Sequence, residues 1–124
     1  MRDRIFYIDD DLINTQLFEL HFSKYFEINS STDPSEAIEE IVNQKIPLVI
    51  TDFRMPYLNA DQLIKKVKRS HSNCQFIILS GYFEKDIDYD KDSVFQFVSK
   101  PYEPEQMLKV IEDALVYCKQ ATSL

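Results

Sequence analysis

Asp9, Asp10 and Asp11 stand in a row where one apolar run ends, Asp52 stands where another ends, and Lys100-Pro101 follows a third. Carboxylates are hard oxygen ligands, and a magnesium site typically combines one or two of them with waters and phosphate oxygens. Asp9, Asp10 and Asp52 supply such a set without histidine or thiolate. Without a cation, close carboxylates repel and at least one pKa must rise; a cation removes that penalty and screens an incoming phosphate. A carboxylate such as Asp52 can also accept a phosphoryl group, forming an aspartyl phosphate. That transfer is mostly positioning and charge neutralisation, so few other groups are needed. Lys100 offers a point charge for a phosphoryl oxygen. Ser80, which with Gly81 (the chain's only glycine) closes a further apolar run, offers a hydroxyl. Each group alone has an ordinary explanation: Asp10 or Asp11 as a helix cap, Ser80-Gly81 as a turn, Lys100-Pro101 as a loop. Their joint placement at the ends of four apolar runs is what points to one site.

The elements that must position these groups alternate along the chain. Ile5 to Ile8 is a short, fully apolar run, as expected of a strand buried on both faces. Asp10 or Asp11 can cap a following helix whose apolar positions read as Ile13, Leu17 and Leu20. Phe26 to Ser30 reads as a second strand. Asp33, Pro34 and Glu36 form a strong helix start, with Ala37, Ile38, Ile41 and Val42 as the apolar stripe. Leu48 to Ile50 forms a third strand that delivers Thr51 and Asp52. Asn59 and Gln62 make a capping box for a helix carrying Leu63, Ile64 and Val67. Phe76 to Leu79 is a fourth strand and Phe95 to Val98 a fifth. Glu103-Pro104 then opens a last helix with face Met107, Leu108, Ile111, Leu115 and Cys118. This is the βα alternation of an α/β fold, an open doubly wound parallel sheet with helices on both faces. Right-handed crossovers put every strand C-terminus, and so every polar cluster, at one edge. One stretch breaks the pattern: residues 82–93 are Asp-rich with little helical periodicity, so the helix due there is expected to be short or irregular.

At 124 residues and 44% apolar content the chain has the size and core of one domain, expected over residues 1–124. That length leaves no room for a DNA-binding or catalytic output domain. A net charge of −7 argues against direct nucleic-acid binding. The basic run Lys65, Lys66, Lys68 and Arg69 lies on a helix and reads as a solvated face. No apolar stretch approaches ~20 residues, so membrane insertion is not expected. Met1 to Arg4 leads straight into a strand, from which no signal peptide is expected. Cys74 and Cys118 lack zinc or disulfide spacing and read as reduced thiols of a cytoplasmic protein. Three acids at the first βα turn exclude a glycine-rich phosphate cradle there.

From end to end the chain resembles the receiver domain of bacterial two-component response regulators. The matching motifs are residues 5–11, Thr51 to Pro56 with Asp52 second, Leu79-Ser80-Gly81, and Phe97 to Pro101. The resemblance implies a flavodoxin-like five-stranded sheet of order 2-1-3-4-5, and phosphoryl transfer to Asp52 from a sensor histidine kinase or phosphotransfer protein. It assigns magnesium (manganese as an alternative) to Asp9, Asp10 and Asp52 with the Arg54 backbone carbonyl. Ser80 becomes the switch hydroxyl, Phe97 its aromatic partner and Lys100 the phosphate-pairing lysine; Asp11 is left as a cap. Enzymatic activity is then limited to self-phosphorylation and self-dephosphorylation, and the output is a downstream protein partner or a fused output domain. The family also commonly has a cis bond before the proline matching Pro101.

Three departures stand out. Ala60 replaces a common glycine, Phe97 lacks a tyrosine hydroxyl, and the stretch from Glu84 to Asp92 is atypical where the family places its fourth helix. Arg54 and Tyr82, two positions beyond Asp52 and Ser80, are both large and predict slow hydrolysis of the phosphoryl group. A phosphatase with Asp52 as nucleophile would want a second acid where Arg54 stands. The closer alternative is a degenerate receiver that binds a partner without phosphorylation.

Overall fold

The computed structural model describes residues 2–122; Met1, Ser123 and Leu124, which the expected domain bounds include, lie outside the described residues. The elements run β1 (Arg4–Ile8), α1 (Leu12–Phe22), β2 (Glu27–Ser31), α2 (Pro34–Gln44), β3 (Leu48–Thr51), α3 (Ala60–Ser70), β4 (Gln75–Ser80), β5 (Gln96–Ser99) and α4 (Pro104–Thr122). The five strands form one all-parallel sheet of order β2-β1-β3-β4-β5, as expected. Because side chains alternate across a strand, β1, β3 and β4 each feed two cores. Phe6, Ile8, Val49, Phe76 and Ile78 pack with Ala37, Ile41, Leu63, Ile64 and Val67 of α2 and α3. Ile5, Tyr7, Leu48, Ile50, Ile77 and Leu79 pack with Phe18 and Phe22 of α1 and Met107, Ile111 and Leu115 of α4.

Local signals set most helix ends where they were expected. Asp11 caps α1 by accepting from the Ile13 and Asn14 N–H groups, and Asp33 caps α2 through Ser35 N–H. Asn59 and Gln62 form the reciprocal box of α3. Ala60 begins that helix fully buried. The left-handed residue of the preceding turn is Tyr57, at φ 75°, so no glycine is required at position 60. At Gly81 an added Cβ would meet nothing within 4 Å.

The face of α1 is a correction. Ile13, Leu17 and Leu20 are exposed, at 66%, 45% and 75%, and the buried residues are Thr15, Phe18 and Phe22. This helix is apolar on both sides, so periodicity cannot choose the inward one. The aromatic rings choose it, because Phe18 stacks on Tyr7 of β1 with centroids 4.0 Å apart and planes 11° from parallel, and Phe22 tilts against Phe18 at 4.8 Å.

Between β4 and β5 no α-helix forms; two 3-10 turns, Glu84–Asp86 and Lys91–Ser93, replace it. Asp86, Asp88, Asp90 and Asp92 alternate with period two, which leaves no helical apolar stripe. Only Ile87 is buried among residues 81–93. The ties of the rest include Tyr89 stacked on Phe97 at 6.1 Å, Asp90 N–H donating to Asp61 of α3 at 3.0 Å, and Asp90 capping the second turn.

Candidate functional site

Strand register brings the polar clusters together. Ile8 pairs with Thr51, so Asp9 and Asp52 emerge side by side one residue beyond the β1–β3 ladder, and Asp52 N–H still donates to the Ile8 carbonyl at 2.9 Å. Ser80 pairs with Ser99, so Lys100 leaves β5 beside the end of β4, its N–H donating to the Ser80 carbonyl at 2.8 Å. The Lys100-Pro101 peptide is cis.

One carboxylate oxygen each from Asp9, Asp10 and Asp52 lies within 4.8 Å of the others. Asp9 is buried, Asp52 half-buried and Asp10 exposed. Lys100 Nζ reaches across this group, 2.9 Å from Asp9 Oδ2 and 3.6 Å from Asp52 Oδ2. Asp9 Oδ2 also accepts from the Tyr7 hydroxyl at 3.1 Å and Asn14 Nδ2 at 3.2 Å, while Oδ1 accepts only Asp11 N–H at 3.0 Å. Asp52 Oδ1 accepts Phe53 N–H at 2.8 Å, leaving Oδ2 open apart from Lys100.

Burial pushes the Asp52 carboxyl above its usual range; Lys100 and the Phe53 N–H pull it back, and the charges of Asp9 and Asp10 push it up again. Burial, reinforced by the neighbouring Asp9 charge and hydrogen bond, also drives the Tyr7 phenol far upward, so it remains a donor. Three oxygen ligands of this type in this proximity fit a hard divalent cation, and the upward push on Asp52 is the strain that such a cation would remove. The cluster offers no soft ligand, and burial pushes both thiols up, Cys118 to about 11.

The other expected residues sit close by in different settings. Ser80 is fully buried at the end of β4, its hydroxyl accepting Tyr82 N–H at 3.1 Å. Phe97 is half-buried on the α2–α3 side of the sheet, against Tyr89. Arg54, in the turn after Asp52, lays its guanidinium over the Tyr82 ring at 4.5 Å. Asp11 serves as the α1 cap. Sequence reasoning missed Tyr7 and Asn14. Tyr7 was absorbed into an apolar run, although its parity with Asp9, two residues on, already placed both on one face of the strand. Asn14 lies one helical turn after the acidic triplet and had no pattern to mark it.

Comparison with known proteins gives a consistent picture. The family model described as the response regulator receiver domain matches residues 5–112. The chain is 34% identical over 95 residues to the uncharacterized transcriptional regulatory protein YesN of Bacillus subtilis, covering 75% of this chain and 26% of that protein. It is 27% identical to the putative two-component response regulator ARR13 of Arabidopsis thaliana, covering 99% of this chain and 23% of that protein. The chain therefore spans about a quarter of the length of these relatives. Among solved structures, a response regulator receiver domain protein from Clostridium thermocellum superposes with TM-score 0.88 at 23% identity, covering 96% of this chain and 98% of that one. The signal receiver domain of an HD domain-containing protein from Pseudomonas fluorescens superposes with TM-score 0.90 at 17% identity, covering 98% and 93%. At these identities the two superpositions speak for the fold.

Proposed function

This chain belongs to the response regulator receiver domain family, and from that premise we propose that residues 1–124 form a phosphorylation-activated switch whose acceptor is Asp52. The observation that carries this reading is the geometry of Lys100, which bridges Asp9 and the open oxygen of Asp52 at the mouth of a three-carboxylate cluster. Asp52 Oδ2 attacks the phosphorus of a phosphohistidine on a sensor histidine kinase or phosphotransfer protein. The P–N bond breaks, and the donor imidazole leaves and takes a proton. Asp9, Asp10, Asp52 and the Arg54 carbonyl would hold magnesium, or manganese, which when bound neutralises the phosphoryl oxygens. Lys100 swings the short distance from Asp9 to a phosphoryl oxygen, and Ser80 turns its hydroxyl to another. Phe97 then follows into the space that Ser80 vacates.

The phosphoryl contacts must favour the active arrangement by a few kcal/mol to shift the population. The exposed apolar face of α1 (Leu12, Ile13, Leu17 and Leu20) begins directly after Asp11 and would seat the donor beside Asp52. The state of Asp52 would be read by a downstream protein partner or a fused output domain in the cytoplasm, with no direct nucleic-acid contact, no membrane insertion and no turnover beyond self-phosphorylation and self-dephosphorylation. Among the described residues no helix is long and apolar enough to cross a membrane.

Treatment with acetyl phosphate and magnesium should give a phosphoryl adduct by mass spectrometry that disappears in Asp52→Ala. Absence of an adduct with every donor tried would favour the second reading, a degenerate receiver that binds its partner unphosphorylated; the helix-free segment between β4 and β5 is the observation on that side. The Arg54–Tyr82 stack near the site mouth supports slow hydrolysis. The adduct should last minutes or longer in magnesium buffer, and a lifetime of seconds would refute that part.

A further inference from the structure

We propose that Tyr7 is a positioning residue for this site: its hydroxyl is the fixed donor that holds the magnesium ligand Asp9 in place when Lys100 leaves for the phosphoryl group. This rests on the switch reading above for magnesium at Asp9 and for the movement of Lys100, and on the structure for the donors that surround Asp9. Three donors converge on Asp9 Oδ2, from Lys100 at 2.9 Å, Tyr7 at 3.1 Å and Asn14 at 3.2 Å. They differ in freedom. Lys100 is a flexible side chain, 23% exposed, already within 3.6 Å of Asp52. Tyr7 is 1% exposed and clamped flat against Phe18 at 4.0 Å, so its hydroxyl cannot follow the lysine.

Asp9 is fully buried, and a buried carboxylate that loses its partners is costly. When Lys100 departs, Tyr7 and Asn14 still satisfy Oδ2, and Asp9 keeps its orientation beside Asp10 and Asp52, with Oδ1 accepting the Asp11 N–H. The arrangement also explains a hydroxyl in the middle of an otherwise apolar buried strand: Tyr7 and Asp9 share a face, and the phenol spans the two-residue step. Outer-shell donors of this kind typically govern metal affinity by about 10–100-fold.

The test is the magnesium dissociation constant of the full chain by titration calorimetry, for the wild type, Tyr7→Phe and, as a matched control, the exposed Tyr25→Phe. Tyr7→Phe should weaken magnesium binding about tenfold, and Tyr25→Phe should not change it. Phosphorylation of Tyr7→Phe by acetyl phosphate should be slow at limiting magnesium and recover at saturating magnesium, a split that a merely structural role for the ring would not produce. Magnesium affinity of Tyr7→Phe within about twofold of wild type overturns the proposal, taking the lower edge of outer-shell effects as the standard. If Tyr7→Phe melts below the assay temperature, Lys100→Met decides: it should retain magnesium binding because Tyr7 and Asn14 still hold Asp9, and loss of binding there overturns the proposal. A wild type that binds magnesium but accepts no phosphoryl group sinks the switch reading alone, since the affinity comparison still reads out Tyr7.

Discussion

The acidic edge of the sheet and the segment that leaves it after β4 to cross back to the start of β5 are held in opposite ways. At the edge, each group has several partners drawn from different elements: Asp9 alone is tied to β1, α1 and the end of β5. Residues 82–93 have one buried side chain, Ile87; their other ties are the Tyr89–Phe97 stack, one hydrogen bond to α3, and Tyr82 against Arg54 and the Ser80 hydroxyl where the segment begins. A site that must place a phosphoryl group has to be over-determined. On the switch reading, a segment that changes with the site is better held by few contacts, since low local contact density is what makes a region open cheaply. Phe97 joins the two, with its strand leading to Lys100 and its ring against Tyr89.

The sharpest way to break this contrast is Ile87→Ala. Removing the one buried anchor should cost about 2 kcal/mol, the low end for a core isoleucine because the segment can relax. Hydrogen exchange should accelerate across residues 82–93 while amides around Asp9 and Asp52 keep their protection. Uniform acceleration would mean that the two regions form one cooperative unit and the contrast is false.

A smaller effect tests the crowding at the edge. The Asp52 carboxyl lies above its usual range, with burial as the first cause. Between its unfolded and folded pKa values the native state binds more protons, so this group lowers stability as pH rises, and its full penalty is present above the raised pKa. Asp52→Asn should therefore raise the melting midpoint by a few degrees at neutral pH. That gain should shrink on acidification through the raised pKa, and on addition of magnesium to the wild type. A gain independent of both pH and magnesium would show that carboxylate crowding is not its source.

The smallest effect concerns the tie between the segment and α3. Burial opposes ionisation of Asp61, but the Lys65 ammonium and the Asp90 N–H outweigh it and hold the carboxyl below its usual range. Here the sign is reversed: the contribution is present at neutral pH and is lost as pH falls through the depressed pKa. Asp61→Ala should cost no more than about 1 kcal/mol, because the pair is solvent-screened. It should loosen exchange at Asp90 most. A larger loss, or one that persists in acid, would place this tie among the structural anchors rather than the weak ones.

The sequence alone carried the strand and helix alternation, three of the caps and the residue types of the site, because each is written in local chemistry: apolar runs, capping side chains, acids at strand ends. It also carried the absence of a regular helix at 82–93, since acids at period two cannot build a helical stripe. Tertiary structure decided what depends on choosing between equivalent local options. The inward face of α1 went to Phe18 and Phe22 rather than to Ile13, Leu17 and Leu20, because an aromatic partner on β1 was waiting for it. Strand register turned Asp9, Asp52 and Lys100 from three separate motifs into one cluster. Only the fold could show that the Tyr7 hydroxyl meets Asp9 and that Tyr89 covers Phe97. Periodicity reports which residues prefer to leave water, and it carries no information about which partner each will find there.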